Sequence, residues 1–525
     1  MNAITAKQLK PLLTDGEEIA FLDIREHGQY GEGHPFFSVH VPYSQIEHLA
    51  PRLMPCLAVR CVLMDDGDGV AERAANVLVS LGYKDVSILD GGAPAWAAAG
   101  YTHFKGVNVP SKTFGELVEH HFDTQSISAE ELNQKFEQNE DMIVLDGRTP
   151  REYNKMTIPN SQSCPNAELG YRIPMLCTDP KTTVVVNCAG RTRSIIGAEI
   201  LNMLDIPNPI YALRNGTQGW RLSGFNLVHG AEPGTLPIPD SETWEAGRAK
   251  AANLREDYGI PTVSAEDVKA WRTEPDRSTY LFDVRSAEEY AVGHAAGAHS
   301  APGGQLIQAT DEQLAVRNAR IILTCDNGLR ATTTAILLAG MGHQVWVLNT
   351  DTPRDETKST NDKPEPNVDT IDLATLKSRV DAGATIIDVS NGMDYRAGHI
   401  QGAIWATRAR LDQLAIDDPT DVVLVGQSAM LILGIINEFK SLTGKTPRDI
   451  IVSDPDAWRS VGINVVETSN APSEEECIDY LFFVHDRHDG NLDAARRYLE
   501  WETGLLDQLD DQEKGALKPL DAAAG

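Results

Sequence analysis

The stretch Val184-Val185-Val186-Asn187-Cys188-Ala189-Gly190-Arg191-Thr192-Arg193-Ser194 passes from an apolar run through a thiol into a short loop that carries one Gly and two Arg. Ile195-Ile196-Gly197-Ala198 follows and reads as the opening of a helix. A short β-branched run bounded by a turn signal reads as a buried strand, so the segment is strand, loop and helix in sequence. The same layout returns at Ile321-Ile322-Leu323-Thr324-Cys325-Asp326-Asn327-Gly328-Leu329-Arg330-Ala331, again with Arg five residues after Cys.

Working outward, each thiol lies 42 residues after an Asp that ends an earlier apolar run, Asp146 for Cys188 and Asp283 for Cys325. That earlier element occurs four times, each time with a Tyr seven residues after the Asp: Phe21-Leu22-Asp23 with Tyr30, Val144-Leu145-Asp146 with Tyr153, Leu281-Phe282-Asp283 with Tyr290, and Ile386-Ile387-Asp388 with Tyr395. A His follows the Tyr by four at His34, His294 and His399, and Thr157 stands there in the second copy. Upstream of each copy is a helical opening in which Thr5, Ser128, Ser264 and Asp372 suit N-caps, with Glu131 and Asp267 placed to close capping boxes. Downstream come a second apolar run, a helical segment, a third apolar run, and in three copies Trp-x-x-x-Gly: Trp96 to Gly100, Trp220 to Gly224, Trp458 to Gly462. The third copy lacks that ending and runs into Asn349-Thr350-Asp351-Thr352-Pro353.

Helices and strands that alternate in this way imply a parallel sheet covered by helices. The expected fold is α/β, with four tandem doubly wound units over residues 1–105, 124–230, 258–352 and 366–468 and a helical tail over 469–525. Linkers are expected at 106–123 and 231–257, and a polar stretch from Thr352 to Pro366 separates units three and four. A chain of 525 residues accommodates this number of domains.

In a parallel α/β unit, chemistry belongs at the carboxyl ends of the strands. Amides of a tight loop at a helix N-terminus cradle an anion, and with adjacent Arg they lower a thiol from about 8.5 into the range of about 3.5–7.5. Cys188 is therefore the candidate nucleophile, with Arg191 and Arg193 as forked donors to an anionic substrate. Cys325 and Arg330 form a candidate second, weaker site, because Asp326 adds adverse charge. Cys56, Cys61, Cys164, Cys177 and Cys477 lack this context and read as small core residues. The first unit has Asp65-Asp66-Gly67-Asp68-Gly69 where the thiol loop would stand, and the fourth has Gly426-Gln427-Ser428-Ala429, so both are expected to be inactive and to serve structure or docking.

With 46 basic and 76 acidic side chains the formal charge is −30, which disfavours nucleic acid and anionic membranes as partners. No apolar run approaches the ~18–20 residues of a membrane span. Met1–Lys7 lacks the basic and apolar regions of a secretory signal, and seven scattered cysteines suit a reducing compartment, so a cytoplasmic protein is expected. No phosphate-loop or dinucleotide pattern appears in context, and no cofactor or metal is expected.

These motifs resemble those of the rhodanese family of sulfurtransferases. Its Asp-x-Arg appears as Asp23-Ile24-Arg25, Asp146-Gly147-Arg148 and Asp283-Val284-Arg285, and its Gly-His-Ile-x-Gly-Ala turn as Gly293-His294-Ala295-Ala296-Gly297-Ala298 and Gly398-His399-Ile400-Gln401-Gly402-Ala403. Cys188 to Arg193 and Cys325 to Arg330 resemble its six-residue active-site loop, and Trp-x-x-x-Gly its closing helix. The resemblance covers about four fifths of the chain. It implies transfer of sulfane sulfur from thiosulfate or a related persulfide donor, through a persulfide on Cys188, to a thiol or cyanide acceptor. It also implies that Ala189, Gly190, Arg191, Thr192, Arg193 and Ser194 bind donor and persulfide, with Arg330 in the equivalent role beside Cys325. Asp146 and Arg148 read as braces of the unit. Related cysteine phosphatases have five residues between Cys and Arg, whereas Ala189-Gly190-Arg191-Thr192 is four, a tighter cradle suited to one sulfur. The alternative to an enzyme is a non-catalytic scaffold of such modules. In the tail, Leu492–Leu509 is expected to form an amphipathic helix that packs on a unit or at a homodimer interface, and His485-Asp486-Arg487-His488-Asp489 reads as a turn.

Overall fold

A computed structural model gives the architecture and describes residues 2–357, 368–416, 418–485 and 491–523. Among the described residues four predominantly parallel sheets follow one another along the chain. In the second, the strand order is Ser126–Ile127, Ile210–Leu213, Thr183–Asn187, Met142–Asp146, Ser161–Ser163, all parallel. The third repeats it with Thr262–Val263, Gln344–Leu348, Arg320–Thr324, Thr279–Asp283 and His299–Ser300. The first has the same order, and an antiparallel strand from the third unit, Val316–Arg317, pairs with Ile19 and Ala20 at its edge. The fourth is smaller, with Ile404–Trp405, Thr385–Asp388, Val422–Gly426 and Asp449–Val452.

The repeat residues hold each unit together locally. Asp146 takes Arg148 Nε and Nη2 at 2.8 and 2.7 Å, and Arg148 Nη2 also donates to the Met156 carbonyl at 2.6 Å. Arg25 and Arg285 do the same with Asp23 and Gly33, and with Asp283 and Gly293. The Tyr and His of the turn stack, with ring centroids 3.7 Å apart for Tyr30 and His34, 3.8 Å for Tyr290 and His294, and 3.7 Å for Tyr395 and His399. In the second unit the Thr157 hydroxyl donates to Asp146 instead, at 2.8 Å, so a small polar residue replaces the ring without leaving a buried group unpaired. Ser128 and Glu131 close a capping box, whereas Asp267 binds the Ser264 hydroxyl and leaves its box open.

Two segments expected as linkers are helices, Val109–Phe122 and Ser241–Asp257. Gly115 lets the first approach the helix Thr192–Met203, since a Cβ on it would stand 2.8 Å from Thr192 Cγ2. One continuous core joins units one and three to these helices and reaches Leu505, Leu509 and Leu517 of the tail. The tail therefore packs on its own chain. Its expected single helix breaks at Gly504 into Leu492–Thr503 and Leu505–Gln508. The stretch Asp486–Asp489, residues 358–367 of the polar stretch before unit four, and so the first residues of that unit, lie outside the described residues. No helix among the described residues is long and apolar enough to cross a membrane.

Candidate active site

Cys188 directly follows the strand Thr183–Asn187, and the 12-residue helix Thr192–Met203 begins four residues later. The loop is fixed from the far side by the closing helix Gly216–Leu222. Thr217 N–H donates to the Cys188 carbonyl at 2.8 Å and Gln218 N–H to the Ala189 carbonyl at 3.1 Å. Gly216, at φ +51°, makes this approach feasible, because a Cβ there would lie 2.2 Å from the Cys188 carbonyl oxygen.

The sulfur is buried, and Ser194 Oγ lies 3.6 Å from it. Burial pushes the thiol up from its ordinary value. Arg193 and the Ser194 hydroxyl and amide pull it down, and Glu502 raises it further. The expectation of a strongly acidified thiol is thus corrected. Its physical reason is burial, which outweighs the pull of Arg193 and Ser194, and both loop arginines are in addition engaged by carboxylates. Arg191 Nε and Nη2 donate to Glu116 at 2.7 and 2.9 Å, and the same guanidinium pairs with Glu119. Arg193 forms a two-pronged pair with Glu152, both contacts at 2.7 Å. Burial would raise Glu152, but Arg193 holds it down to about 2. Burial pushes Glu116 up to about 7 despite Arg191.

Cys188 lines a cavity of about 220 Å³. The loop residues Ala189, Gly190, Arg191, Thr192 and Arg193 form its floor. Its walls come from elsewhere: Lys112 of the first linker helix, Gln305 of the third unit, Gln218 of the closing helix, and Tyr498 and Glu502 of the tail. None of these wall residues is readable as a site residue from the repeat alone. A signal was present for Glu502, a carboxylate at the spacing of the buried stripe Ala495, Tyr498 and Leu499.

The third unit's loop is closed. Arg330 is fully buried, with Glu168 at 2.6 Å, Glu289 at 2.5 Å and Asp326 at 3.0 Å, and its guanidinium lies over the Tyr171 ring. Tyr171 Oη donates to Asp326 at 2.6 Å, and Asn327 donates to the Trp244 carbonyl of the second linker helix at 3.2 Å. Burial, with Asp326 beside it, pushes Cys325 up to about 11. Where the closing helix is missing, the Arg354 guanidinium donates to the Cys325 carbonyl. Arg354 is a structural residue that the repeat does not announce.

Asp65 of the first unit sits in its own loop and accepts the N–H groups of Gly67, Gly69 and Ala71 at 2.9, 3.1 and 2.9 Å. The fourth unit has Gly426 at the strand end and Ser428 capping the next helix. Among the described residues no group of His, Cys, Asp and Glu is arranged to hold a metal ion.

A thiol at a strand end, over a helix N-terminus and in a unit repeated along the chain, defines a class of tandem α/β modules with a buried thiol loop. The family model described as Rhodanese-like domain matches residues 5–99, 128–223 and 264–352, and the chain belongs to this family. The solved thiosulfate sulfurtransferase of Pseudomonas aeruginosa is 37% identical over 100% of both chains, with a TM-score of 0.89. The Alr3790 protein of Anabaena sp. is 30% identical over 20% of this chain and 84% of its own, with a TM-score of 0.19. A rhodanese-related protein of Thermoplasma volcanium is 30% identical over 20% of this chain and 97% of its own, with a TM-score of 0.18. No curated protein matches.

Proposed function

We propose that this chain is a sulfurtransferase that carries sulfane sulfur as a persulfide on Cys188. The observation that carries the reading is the contrast between two loops of one chain: the Cys188 loop floors a cavity, and the Cys325 loop is sealed by Arg330, Tyr171 and the second linker helix. The full-length similarity to a protein named thiosulfate sulfurtransferase supports the same class.

With thiosulfate as donor, the Cys188 thiolate attacks the outer sulfur. The Cys188 S–S bond forms, the bond to the sulfonate sulfur breaks, and its electron pair leaves with sulfite. The bound persulfide anion then rests over the first turn of Thr192–Met203, where helix amides and Arg193 favour negative charge. Cyanide or a thiolate takes the outer sulfur and returns the Cys188 thiolate, which makes the cycle a double displacement. The first and fourth units are inactive in this scheme, and the third contributes structure. Seven free cysteines fit a cytoplasmic setting.

The test is intact mass after incubation with thiosulfate, glutathione persulfide or mercaptopyruvate, for wild type, Cys188→Ser and Cys325→Ser, followed by cyanide. Gain of one sulfur that cyanide removes, lost in Cys188→Ser and kept in Cys325→Ser, is the expected result. No sulfur on wild type from any donor would overturn the proposal and favour a scaffold.

A further inference from the structure

The cavity over Cys188 is walled in part by segments outside the repeat units, the first linker helix and the tail. Helix Leu492–Thr503 buries Ala494, Ala495, Tyr498, Leu499 and Glu502, so a carboxylate takes a place in an otherwise largely apolar stripe. Burying an ionic group there is unfavourable unless something compensates it. Glu502 is 2% exposed. Its Oε1 accepts the Thr192 hydroxyl at 2.9 Å. Its Oε2 is buried and has no hydrogen-bond partner in the protein.

Gln218 across the loop is in the same condition, since neither its side-chain nitrogen nor its side-chain oxygen has a partner. Glu502 Oε2 and Gln218 Nε2 meet at one place beside the loop. A Cβ built on Gly190 would stand 3.0 Å from Glu502 Oε2 and 3.7 Å from Gln218 Nε2. Gly190 is two residues after Cys188, and all three residues line its cavity. Buried polar atoms are seldom left without partners in native proteins, and a set that converges beside a nucleophile is explained by a ligand that completes it.

The charge around the cavity says which ligand. Arg191 is held by Glu116 and Glu119, and Arg193 by Glu152. Lys112 Nζ donates to the Val107 carbonyl and sits 5.1 Å from the centroid of the Trp501 ring. Each cation is thus engaged within the protein. An unpaired carboxyl oxygen such as Glu502 Oε2 is an acceptor suited to an N–H, and it is a poor neighbour for the sulfonate oxygens of a dianion, which are acceptors too.

Resting on the assignment of Cys188 as the sulfur carrier, we propose that Glu502 and Gln218 determine donor specificity, selecting a thiol persulfide that bears ammonium or amide N–H groups over an anion such as thiosulfate. Glu502 Oε2 accepts an N–H of the donor, and the Gln218 amide binds a neighbouring polar group. The Cys188 thiolate attacks the outer sulfur of R–S–SH. The Cys188 S–S bond forms, the R–S to S bond breaks, its electron pair leaves on R–S⁻, and the proton stays on the outer sulfur. Glu502 moves no proton in this step.

The experiment compares sulfur loading of the full-length protein from glutathione persulfide, from the persulfide of 3-mercaptopropionate, which lacks any N–H, and from thiosulfate. Wild type is expected to favour glutathione persulfide over each of the other two by about tenfold or more in kcat/KM, because an unmade bond leaves a buried acceptor unpaired. Glu502→Gln, which is isosteric, narrows that preference by about tenfold, mainly through KM. It also moves the pH profile of Cys188 alkylation by iodoacetamide to lower pH, while the change in donor ratio is the readout that a merely structural role would not move. Gln218→Met is the second variant and narrows the preference in the same direction. An unchanged donor ratio in both variants while Cys188 still loads would overturn the proposal alone. So would wild type loading equally well from all three donors. Failure of every donor on wild type would overturn the Cys188 assignment and this proposal with it.

Discussion

Asp65 and Cys188 hold the same place in two copies of one unit. Each follows the strand next to the repeat Asp, and each carbonyl accepts an N–H from the first turn of the closing helix, Ala93 to Asp65 at 2.7 Å and Thr217 to Cys188 at 2.8 Å. The first unit therefore carries its anion covalently, as a carboxylate that takes three loop amides. The second leaves the equivalent cradle beside a thiol, which under the proposed function carries an anion once sulfur has been loaded.

From this follows a stability prediction for the first unit. Asp65→Ala removes the acceptor of three loop amides in a part-buried loop and is expected to lower stability by about 1–3 kcal/mol, read from urea unfolding of the full chain. Sulfur loading per folded molecule stays at the wild-type level. A neutral effect on stability would show that water satisfies those amides and that the carboxylate is dispensable.

Arg330 answers a parallel question for the third unit. Its guanidinium is the shared partner of Glu168, Glu289 and Asp326. Arg330→Met leaves these carboxylates without their common cation, and breaking such a buried network costs about 3–5 kcal/mol. The variant is expected to unfold at lower urea while the folded fraction still loads sulfur on Cys188. Wild-type stability together with lost loading would give Arg330 a role in chemistry and reopen the Cys325 loop as a site.

The parts of this molecule that were legible in the sequence are those set by short spacing. The Asp-to-Tyr and Asp-to-Cys intervals fix where strands end and helices begin, because a unit's strand order depends on local alternation of elements. The same spacing could not show that Arg191 and Arg193 are engaged. Glu116 and Glu119 lie on a segment without the repeat pattern, and Glu152 closes a local capping box with Thr149 as well as pairing with Arg193. Glu502 was further out of reach, 310 residues from the Thr192 hydroxyl that it accepts. Packing between units decides these contacts, and a repeat read one unit at a time does not contain it.

Opposed pKa shifts predict a stability optimum. Burial raises Glu26 and Glu116 from 4.5, and Asp311 from 3.8, to about 7 in each case, so the folded state holds these protons more tightly than the unfolded chain. Their contribution is present in full below the unfolded values and is lost as pH rises through 7. Glu152 and Asp326 run the other way, held at about 2 by Arg193 and Arg330 against the pull of burial. Their contribution is present above 4.5 and 3.8 and is lost as pH falls towards 2. Stability is expected to peak at about pH 4 and to decline on both sides, seen as a Tm lower at pH 8 and at about pH 2.5 than at about pH 4. A Tm that climbs steadily from pH 5 to pH 8 would contradict the raised carboxyls.

Gly216 offers a test of how closely the loop geometry governs the chemistry. A methyl group there meets the Cys188 carbonyl oxygen at 2.2 Å, its carbon at 2.7 Å and the Ala189 carbonyl carbon at 3.0 Å, all of them backbone. Gly224 sits two residues beyond the same helix at φ +85°, with nothing within 4 Å of an added Cβ. Both Gly→Ala variants suffer the left-handed strain of about 1–2 kcal/mol. Only Gly216→Ala must also push the Cys188 loop off the closing helix, so the loop amides proposed to hold the persulfide shift with it. Gly224→Ala is expected to lose stability and keep its loading rate, while Gly216→Ala loses both, the rate by about 100-fold, the scale that a 1 Å misplacement carries. Equal loading rates in the two variants would mean that the cradle tolerates displacement and that the closing helix supports the fold without positioning the sulfur.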